Sequence, residues 1–267
     1  MKKKILISTG GSGGHVIPAT ILYEHLYEKN DIIISTDNRG FRYLDKNVYK
    51  TLLIDTPKLN LLSLPLNFFK ILFLIIKSIL FLKKEKINFL FSTGGYMSLP
   101  LILAGKFLNL KIYLLEPNLV LGKANKFFLS SCKKIFCYTK QIKNFPEEYK
   151  NKKVIIHPLV RNEFYKTKNL KINKDKFHLL VVGGSQGASV FDKNLKKSIL
   201  NISKKFSIKV IQQTHLNNLS SLKEFYAKNN VECDIFNYDK NFIDKVAVAD
   251  LCITRAGATT LAELSTL

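Results

Sequence analysis

Cysteine and acidic residues are scarce in this chain of 267 residues, and each scarcity argues against certain kinds of site or binding partner. The cysteines form no CxxC pair, and no histidine cluster accompanies them; they are Cys132, Cys137, Cys233 and Cys252. This spacing excludes the common zinc sites and favours reduced, partly buried thiols of a cytosolic protein. The apolar run after the initial MKKK ends at Ser8, which is shorter than a secretory signal requires. No Asp-x-Asp arrangement stands out, so we expect neither a metal ion nor a cofactor.

The acidic residues number 20 against 42 lysines and arginines, which gives a formal net charge of +22. Nucleic acid, an anionic membrane and a polyphosphate ligand all suit such a charge. The lysines are spread over nearly every segment, and no helix-turn-helix, zinc-finger or RNP-like pattern is present. We therefore expect no nucleic-acid partner, while the membrane, the polyphosphate and an ordinary solvated lysine-rich surface stay open.

Long apolar segments are confined to Leu59–Leu82, which Pro65 interrupts early. Lysines recur at seven-residue intervals, two helical turns apart, and together with Asn67 they are predicted to share one helical face: Lys70, Lys77 and Lys84. A buried helix with a lysine edge, a membrane span and an interfacial helix are the three alternatives. We expect the third, with Leu66–Leu82 lying on an anionic membrane surface.

Short strand-like runs alternate with longer helical runs, which predicts parallel sheets covered by helices on both faces. The expected strands are Lys4–Ser8, Ile32–Ser35, Thr51–Ile54, Phe89–Ser92, Lys111–Leu115, Lys134–Tyr138, Val154–Ile156, Phe177–Val182, Ser207–Gln212, Val231–Phe236 and Asp250–Ile253. A polar stretch, Lys166–Lys176, has the composition of a linker and predicts a domain boundary nearby. The second half has four expected strands and stops inside an apparent helix, so that domain is expected to be incomplete.

Two glycine-rich turns each separate a strand-like run from a helical run. Gly10–Gly14 follows Lys4–Ser8 and precedes a helix expected to begin near Val16, and Gly183–Gly187 follows Phe177–Val182. Backbone N–H groups at such turns, beside a helix N-terminus, hold phosphate groups. The repetition suggests two nucleotide-fold domains facing one cleft, an arrangement typical of sugar-nucleotide transferases.

Seven segments in a fixed order resemble the MurG family of glycosyltransferases. They are TGGSGGHVIPA (Thr9–Ala19), STGGYMSLP (Ser92–Pro100), LEPN (Leu115–Asn118), PLVRNEF (Pro158–Phe164), VVGGSQGA (Val181–Ala188), NFIDKVAVAD (Asn241–Asp250) and TRAGATTLAEL (Thr254–Leu264). The resemblance implies an α/β protein of two Rossmann-like doubly wound domains, the GT-B glycosyltransferase fold, with the second domain incomplete. Residues 1–160 would bind acceptor and membrane, and residues 161–267 would bind UDP-GlcNAc.

The activity that this resemblance implies is transfer of N-acetylglucosamine from UDP-GlcNAc to undecaprenyl-pyrophosphoryl-MurNAc-pentapeptide (lipid I). The MurNAc 4-hydroxyl would attack with inversion and give lipid II for peptidoglycan synthesis. The enzyme would be peripheral, on the cytoplasmic side of the inner membrane. A glycolipid synthase with a diacylglycerol acceptor and a catalytically silent, shortened membrane-binding homologue are the alternatives.

The same resemblance implies the site residues. His15 and Glu116 would be catalytic, His15 as a base or as a group that positions the acceptor. The donor would contact Ser12, Gly13, Gly14, Asn118, Arg161, Ser185, Gln186, Ile243, Gly257, Ala258, Thr259, Thr260, Leu261, Ala262 and Glu263. The acceptor pyrophosphate would contact Gly10, Gly11, Gly94, Gly95 and Tyr96. Pro117 stands where the family usually has glutamine, a local departure beside Asn118.

Taken singly, several of these residues have ordinary structural explanations. A lone histidine is more often a core or capping residue, and Glu116 by itself is a loop carboxylate. Arg161 would form a surface ion pair, Ile243 would pack in the core, and Glu263 would lie on a solvated helix face.

Overall fold

The computed structural model of the chain describes residues 2–57, 64–166, 175–184, 189–237, 239 and 241–266. It divides into two compact units, Met1–Leu159 and Val160–Leu267. Each unit is built around one sheet whose strands all run parallel. The two units are therefore both of the α/β class, as the alternation of strand-like and helical runs predicts.

The sheet of the first unit has seven strands in the order β3-β2-β1-β4-β5-β6-β7. The strands are β1 Lys3–Ser8, β2 Asn30–Thr36, β3 Thr51–Leu53, β4 Phe89–Ser92, β5 Lys111–Glu116, β6 Lys134–Cys137 and β7 Lys153–Ile155. Continuous apolar runs form the central strands because helices cover both faces of a parallel sheet. Leu6 and Ile33 are buried in one layer of the core, and Ile5 and Ile7 in the other.

The helices of the first unit are α1 Gly13–Leu26, α2 Asn38–Phe41, α3 Leu64–Lys84, α4 Leu99–Phe107 and α5 Lys123–Phe128. Helix α1 packs Val16, Ala19 and Leu22 into the core beside β1 and β2. The expectation that it begins near Val16 is wrong: it begins at Gly13, because Ser12 already has the extended backbone of an N-cap.

The order of strands reverses between β1 and β4, which are neighbours in the sheet although helices and two other strands separate them in sequence. Ser8 at the end of β1 lies opposite Ser92 at the end of β4. Ligands of open α/β sheets bind beyond the carboxyl ends of strands at such a reversal. The glycine turns that follow β1 and β4 meet at this point.

Helix α3 turns much of its apolar surface outward. Phe69 is 70% exposed, Phe73 66% and Leu80 64%, and Lys70 and Lys77 are exposed beside them. The expectation that Asn67 shares the face of the lysines is wrong, because Asn67 lies on the packed side of the helix at 8% exposure. The alternative of a buried helix with a lysine edge does not fit these exposed apolar side chains. Among the described residues, no helix combines the length and the apolar character needed to cross a bilayer.

The sheet of the second unit has the order β10-β9-β8-β11. Its strands are β8 Phe177–Val182, β9 Ile208–Gln213, β10 Glu232–Phe236 and β11 Leu251–Thr254. Its helices are α6 Asn162–Lys166, α7 Ser189–Asn194, α8 Lys196–Ser203, α9 Leu216–Lys228, α10 Phe242–Ala247 and α11 Ala258–Leu264. All the strands expected from the sequence are present in both units, with ends that differ by a residue or two.

The second sheet also reverses its order, between β8 and β11, where Val182 lies opposite Thr254. The second glycine-rich turn begins after β8, and Gly184 has a φ of +71°. Ser185 and Gln186, expected to contact the donor, lie outside the described residues. The Arg255–Thr260 segment follows β11, so both expected donor segments start from the reversal point of this sheet.

Candidate functional site

His15 is held by the turn that follows β4. Its Nδ1 lies 2.9 Å from the carbonyl oxygen of Thr93. A carbonyl oxygen only accepts hydrogen bonds, so Nδ1 carries the proton and Nε2 keeps its lone pair in the neutral ring. Nε2 has no hydrogen-bond partner within the described part of the chain. The half-buried ring is thus arranged to accept a proton at Nε2.

Glycine is required where the turn after β4 passes the His15 imidazole. Gly94 has a φ of +97°, and a Cβ there would lie 3.1 Å from Cε1 and Nδ1 of His15. Gly95 has a φ of +87°, and its Cβ would lie 3.3 Å from the carbonyl oxygen of Gly10. A residue with a side chain at either position would have a strained backbone. Its Cβ would also push the turn after β4 away from His15 or from the turn after β1.

Buried hydroxyl groups join the ends of β1 and β4 beneath these turns. Thr93 Oγ1 lies 2.8 Å from Thr9 Oγ1 and 2.9 Å from the carbonyl oxygen of His15. Ser98 Oγ lies 3.0 Å from both Ser8 Oγ and Ser92 Oγ. This network fixes the two turns relative to each other and therefore fixes the position of His15.

Asp37, directly after β2, holds the first glycine turn from below. Its Oδ1 accepts the Gly11 N–H at 2.8 Å and the Gly40 N–H at 2.9 Å, and its Oδ2 accepts from Arg39 Nε at 3.0 Å. Burial acts to raise the pKa of Asp37, but these N–H donors outweigh it and the pKa lies below its ordinary value. The Gly11 N–H is therefore committed to a carboxylate and is not a donor to a ligand.

The N-terminal turn of α1 has N–H donors that no acceptor in the described part of the chain uses. The N–H groups of His15 and Val16 both donate to the carbonyl oxygen of Ser12. The N–H groups of Gly13 and Gly14 have no intrahelical acceptor at this helix start, and the Ser12 side chain does not cap them. Together with the helix dipole, these amides favour a negatively charged group.

Glu116 ends β5 as a buried carboxylate, 2% exposed, and the following loop together with α5 satisfies both of its oxygens. Oε1 accepts from the Asn118 N–H at 3.2 Å and from Asn118 Nδ2 at 2.9 Å. Oε2 accepts from the Gly122 N–H at 2.8 Å and from Asn125 Nδ2 at 3.0 Å. Glu116 thus shapes the loop around Pro117 and holds the exposed Asn118 in place.

In the second unit, Arg161 and Glu263 form a bidentate ion pair. Arg161 Nε donates to Glu263 Oε1 at 2.6 Å, and Nη2 donates to Oε2 at 3.1 Å. The Arg161 guanidinium also lies over the rings of Phe164 and Phe242, 5.1 and 5.7 Å from their centroids. The side chain of Glu263 is 5% exposed, so it is not on a solvated helix face. Two expected donor contacts are brought together, although 102 residues separate them.

The remaining expected donor residues of the second unit divide into three groups. Gly257 is the N-cap of α11, and Ala258, Thr259 and Thr260 form its half-buried first turn. Ile243 and Ala262 are 7% exposed and belong to the core of this unit, as Ile243 would by itself suggest. The N–H of Leu261 donates to the carbonyl oxygen of Gly257, while its side chain is 45% exposed.

The chain matches the Glycosyltransferase family 28 N-terminal domain over residues 5–137 and the Glycosyltransferase family 28 C-terminal domain over residues 178–267. It is 49% identical over 267 residues to a transferase of Pelagibacter ubique (strain HTCC1062), covering 99% of this chain and 75% of that protein. That relative is named UDP-N-acetylglucosamine–N-acetylmuramyl-(pentapeptide) pyrophosphoryl-undecaprenol N-acetylglucosamine transferase. The chain belongs to this MurG family.

A Rickettsia felis protein of the same name is 32% identical, covering 98% of this chain and 76% of that one. The crystal structure of Acinetobacter baumannii MurG superimposes with a TM-score of 0.73 at 21% identity, covering 100% of this chain and 76% of that chain. The structural likeness places the fold among the GT-B glycosyltransferases of the MurG type. The expected family and fold class are both confirmed.

Three charged side chains that the structure ties into hydrogen-bond networks are not indicated by the sequence motifs. Asp37 accepts the Gly11 N–H of the first glycine turn and pairs with Arg39, and Asp192 joins α7 to the end of β9 and to α9. Asp192 is 4% exposed and accepts from Gln212, Thr214 and Asn218 at 2.9, 2.6 and 3.0 Å. The available signal was position: Asp37 directly follows a buried strand, where ligands and their supports gather in parallel sheets.

Proposed function

We propose that this protein transfers N-acetylglucosamine from UDP-GlcNAc to the MurNAc 4-hydroxyl of lipid I and so forms lipid II. The observation that carries the proposal is the 49% identity over 99% of the chain to a transferase named for that reaction. The geometry at His15 supports it, because an inverting glycosyl transfer needs a group that takes the proton of the attacking hydroxyl.

His15 acts at the acceptor in this proposal. The 4-hydroxyl oxygen of MurNAc attacks the anomeric carbon of GlcNAc, its proton passes to Nε2 of His15, and UDP leaves with the electron pair of the broken bond. The Thr93 carbonyl oxygen, 2.9 Å from Nδ1, keeps the neutral ring in the tautomer that can accept this proton. It also stabilises the imidazolium that forms.

The acceptor pyrophosphate lies against the two glycine turns in this proposal. Gly10 and Gly11 let the pyrophosphate approach the backbone closely, and the Gly11 N–H does not donate to it because Asp37 accepts that N–H. Gly94, Gly95 and Tyr96 form the facing turn. The Ser12, Gly13 and Gly14 amides at the start of α1 supply positive potential beside both substrates.

Glu116 is a positioning residue in this proposal rather than a proton acceptor. Three N–H bonds from the loop that follows it and one from Asn125 in α5 occupy both of its oxygens, and the side chain is buried. Its role is to hold Asn118 toward the donor.

The second unit holds UDP-GlcNAc. Arg161 binds the diphosphate, and Glu263 accepts from the ribose hydroxyls, each of its oxygens having a lone pair beyond the one used by Arg161. The N–H and hydroxyl groups of Gly257–Thr260 stabilise the negative charge that develops on departing UDP. Ile243 borders the uracil, and Ser185 and Gln186 are assigned to the phosphates and sugar by the resemblance alone.

Helix α3 brings the enzyme to its lipid-linked acceptor. Its outward face carries Phe69, Phe73 and Leu80, with Lys70 and Lys77 beside them. Apolar side chains that enter the acyl boundary and lysines that meet lipid phosphates are the pattern of an interfacial helix. We place the protein at the cytoplasmic face of the inner membrane, as a peripheral protein.

The test is transfer from labelled UDP-GlcNAc to lipid I and, in parallel, to diacylglycerol. Labelled lipid II with no labelled glycolipid is expected. Labelled diacylglycerol would assign the chain to the glycolipid-synthase alternative, which the names of its relatives do not favour. Vesicle binding without transfer to either acceptor would favour the catalytically silent alternative.

A further inference from the structure

Arg39 lies between the two glycine turns of the first unit. Its Nη2 donates at 2.8 Å to the hydroxyl oxygen of Tyr96, in the turn after β4. A Cβ on Gly11 in the first turn would lie 3.6 Å from the same nitrogen. The guanidinium therefore contacts the turn after β4 and lies beside the turn after β1, at the point where β1 and β4 end side by side.

Hydrogen bonds fix the Arg39 side chain, but not all of its N–H donors are paired within the described residues. Nε is fixed by Asp37 at 3.0 Å, and the guanidinium carbon lies 5.8 Å from the centre of the Tyr96 ring. Nη1 donates no hydrogen bond in the part of the chain that the structure describes, and the side chain is 44% exposed. An arginine fixed on one edge with its outer N–H groups open is preorganised for a bidentate anion.

The turn after β1 needs a cation beside it in order to bind a phosphate. Asp37 is a buried carboxylate directly beneath Gly11 and accepts that residue's N–H, so this part of the turn offers a phosphate neither a donor nor a favourable charge. Arg39 offsets the Asp37 charge and presents its remaining donors outward. Asp37 thus has two effects here: it sets the turn and it aims the arginine.

We propose that Arg39 binds the pyrophosphate of the lipid-linked acceptor through its outer guanidinium N–H groups. This inference rests on the proposed function, and it adds a ligand that the glycine motifs do not indicate. Tyr96 is then a positioning residue for Arg39, since its hydroxyl oxygen accepts from Nη2.

The experiment measures binding of two soluble acceptor analogues, both carrying MurNAc-pentapeptide on a short prenyl chain. One contains the pyrophosphate and the other has a neutral linker in its place. Arg39→Met is expected to weaken binding of the pyrophosphate analogue about tenfold or more, the size of a lost charge-assisted hydrogen bond. It should leave binding of the neutral analogue and of UDP-GlcNAc within about twofold of wild type. The affinity of Arg39→Lys for the pyrophosphate analogue should lie between those of wild type and Arg39→Met.

Arg42→Met is the matched control, because Arg42 is exposed and its Nε donates only to the Arg39 carbonyl oxygen within the described residues. It removes the same charge and should bind both analogues as wild type does. Circular dichroism melting curves accompany each variant, so that unfolding is not mistaken for lost binding.

Two results would overturn the assignment of Arg39 alone: wild-type affinity of Arg39→Met for the pyrophosphate analogue, or equal losses for both analogues and UDP-GlcNAc, which would make Arg39 a structural brace. Failure of the wild-type protein to bind either analogue or UDP-GlcNAc would overturn the proposed function, and this inference with it.

Discussion

A single hydrogen bond decides what His15 can do. Without the Thr93 carbonyl at 2.9 Å, the neutral imidazole would divide its proton between two nitrogens. With it, the lone pair is at Nε2 and the ring plane is set by a backbone atom. The histidine of the motif can be found from the sequence, but its tautomer depends on a contact with a residue 78 positions away.

Replacing His15 by alanine should lower kcat for transfer about 100-fold or more, because the proton of the attacking hydroxyl loses its acceptor. The KM for UDP-GlcNAc should change little. Steady-state transfer to lipid I measures both. His25→Ala is the control, since His25 is exposed on the same helix, and a loss there as large as at His15 would contradict the assignment.

Glu116→Gln tests whether that carboxylate positions the loop or takes part in proton transfer. Glutamine has one acceptor oxygen, so two of the four N–H donors that now face the carboxylate would face an NH₂ group instead. Each buried donor without an acceptor costs about 1–3 kcal/mol, and the free energy of unfolding in urea should fall accordingly. Donor affinity should fall as well, through Asn118. Unchanged stability together with abolished transfer would instead favour a catalytic role.

At the scale of elements, the sequence predicts strands far better than contacts. Every expected strand is present because apolar runs bounded by glycine or polar residues carry a local signal. The contact between Asp37 and the Gly11 N–H joins residues 26 positions apart, and the Arg161–Glu263 pair joins residues 102 apart. Neither has a local signal, so the partners of those side chains could not be predicted from the sequence.

Helix α3 shows the same limit for a single element. Its lysine spacing predicts the exposed edge, and Lys70 and Lys77 are indeed exposed. Which side of the remaining circumference packs depends on α4 and the sheet, and Asn67 falls on that packed side. The outcome is an outward face more apolar than a solvated helix would have, which is why membrane docking is proposed for it.

Phe69→Ser combined with Phe73→Ser should weaken binding to vesicles that contain anionic lipid by at least about tenfold. Each phenylalanine that enters the acyl boundary contributes about 1.5–3 kcal/mol. Vesicle sedimentation measures the effect, and added salt should weaken wild-type binding further by screening the lysines. Phe206→Ser removes a phenylalanine of the second unit that is 64% exposed. If that change weakened vesicle binding equally, α3 would not be the docking element.

For the whole molecule, the division into two units separates two kinds of chemistry. The first unit contains His15, the paired glycine turns and α3, which are the proposed acceptor and membrane elements. The second contains Arg161, Glu263 and the start of α11, which are the proposed donor elements. The paired glycine turns and the start of α11 each lie at the strand-order reversal of their own sheet, so one topological rule accounts for both positions.

This division predicts how the donor affects stability. UDP-GlcNAc should raise the midpoint of thermal unfolding of the second unit, by a stabilisation of about 2.7 kcal/mol at a hundredfold excess over Kd. Arg161→Met should lose most of that increment, because the diphosphate loses its guanidinium. Its stability without donor should also fall, since Glu263 at 5% exposure is left as an unpaired buried carboxylate.

The donor-dependent increment, rather than the midpoint itself, is therefore the quantity to compare. Lys245→Met is the matched control, because Lys245 also forms a partly buried ion pair in the second unit, with Asp234 and Asp239, away from the strand-order reversal. It should lower the midpoint and keep the increment. An Arg161→Met protein with the full increment would show that Arg161 only braces Glu263, and the diphosphate would then have to be held by the amides at the start of α11 and by the turn after β8.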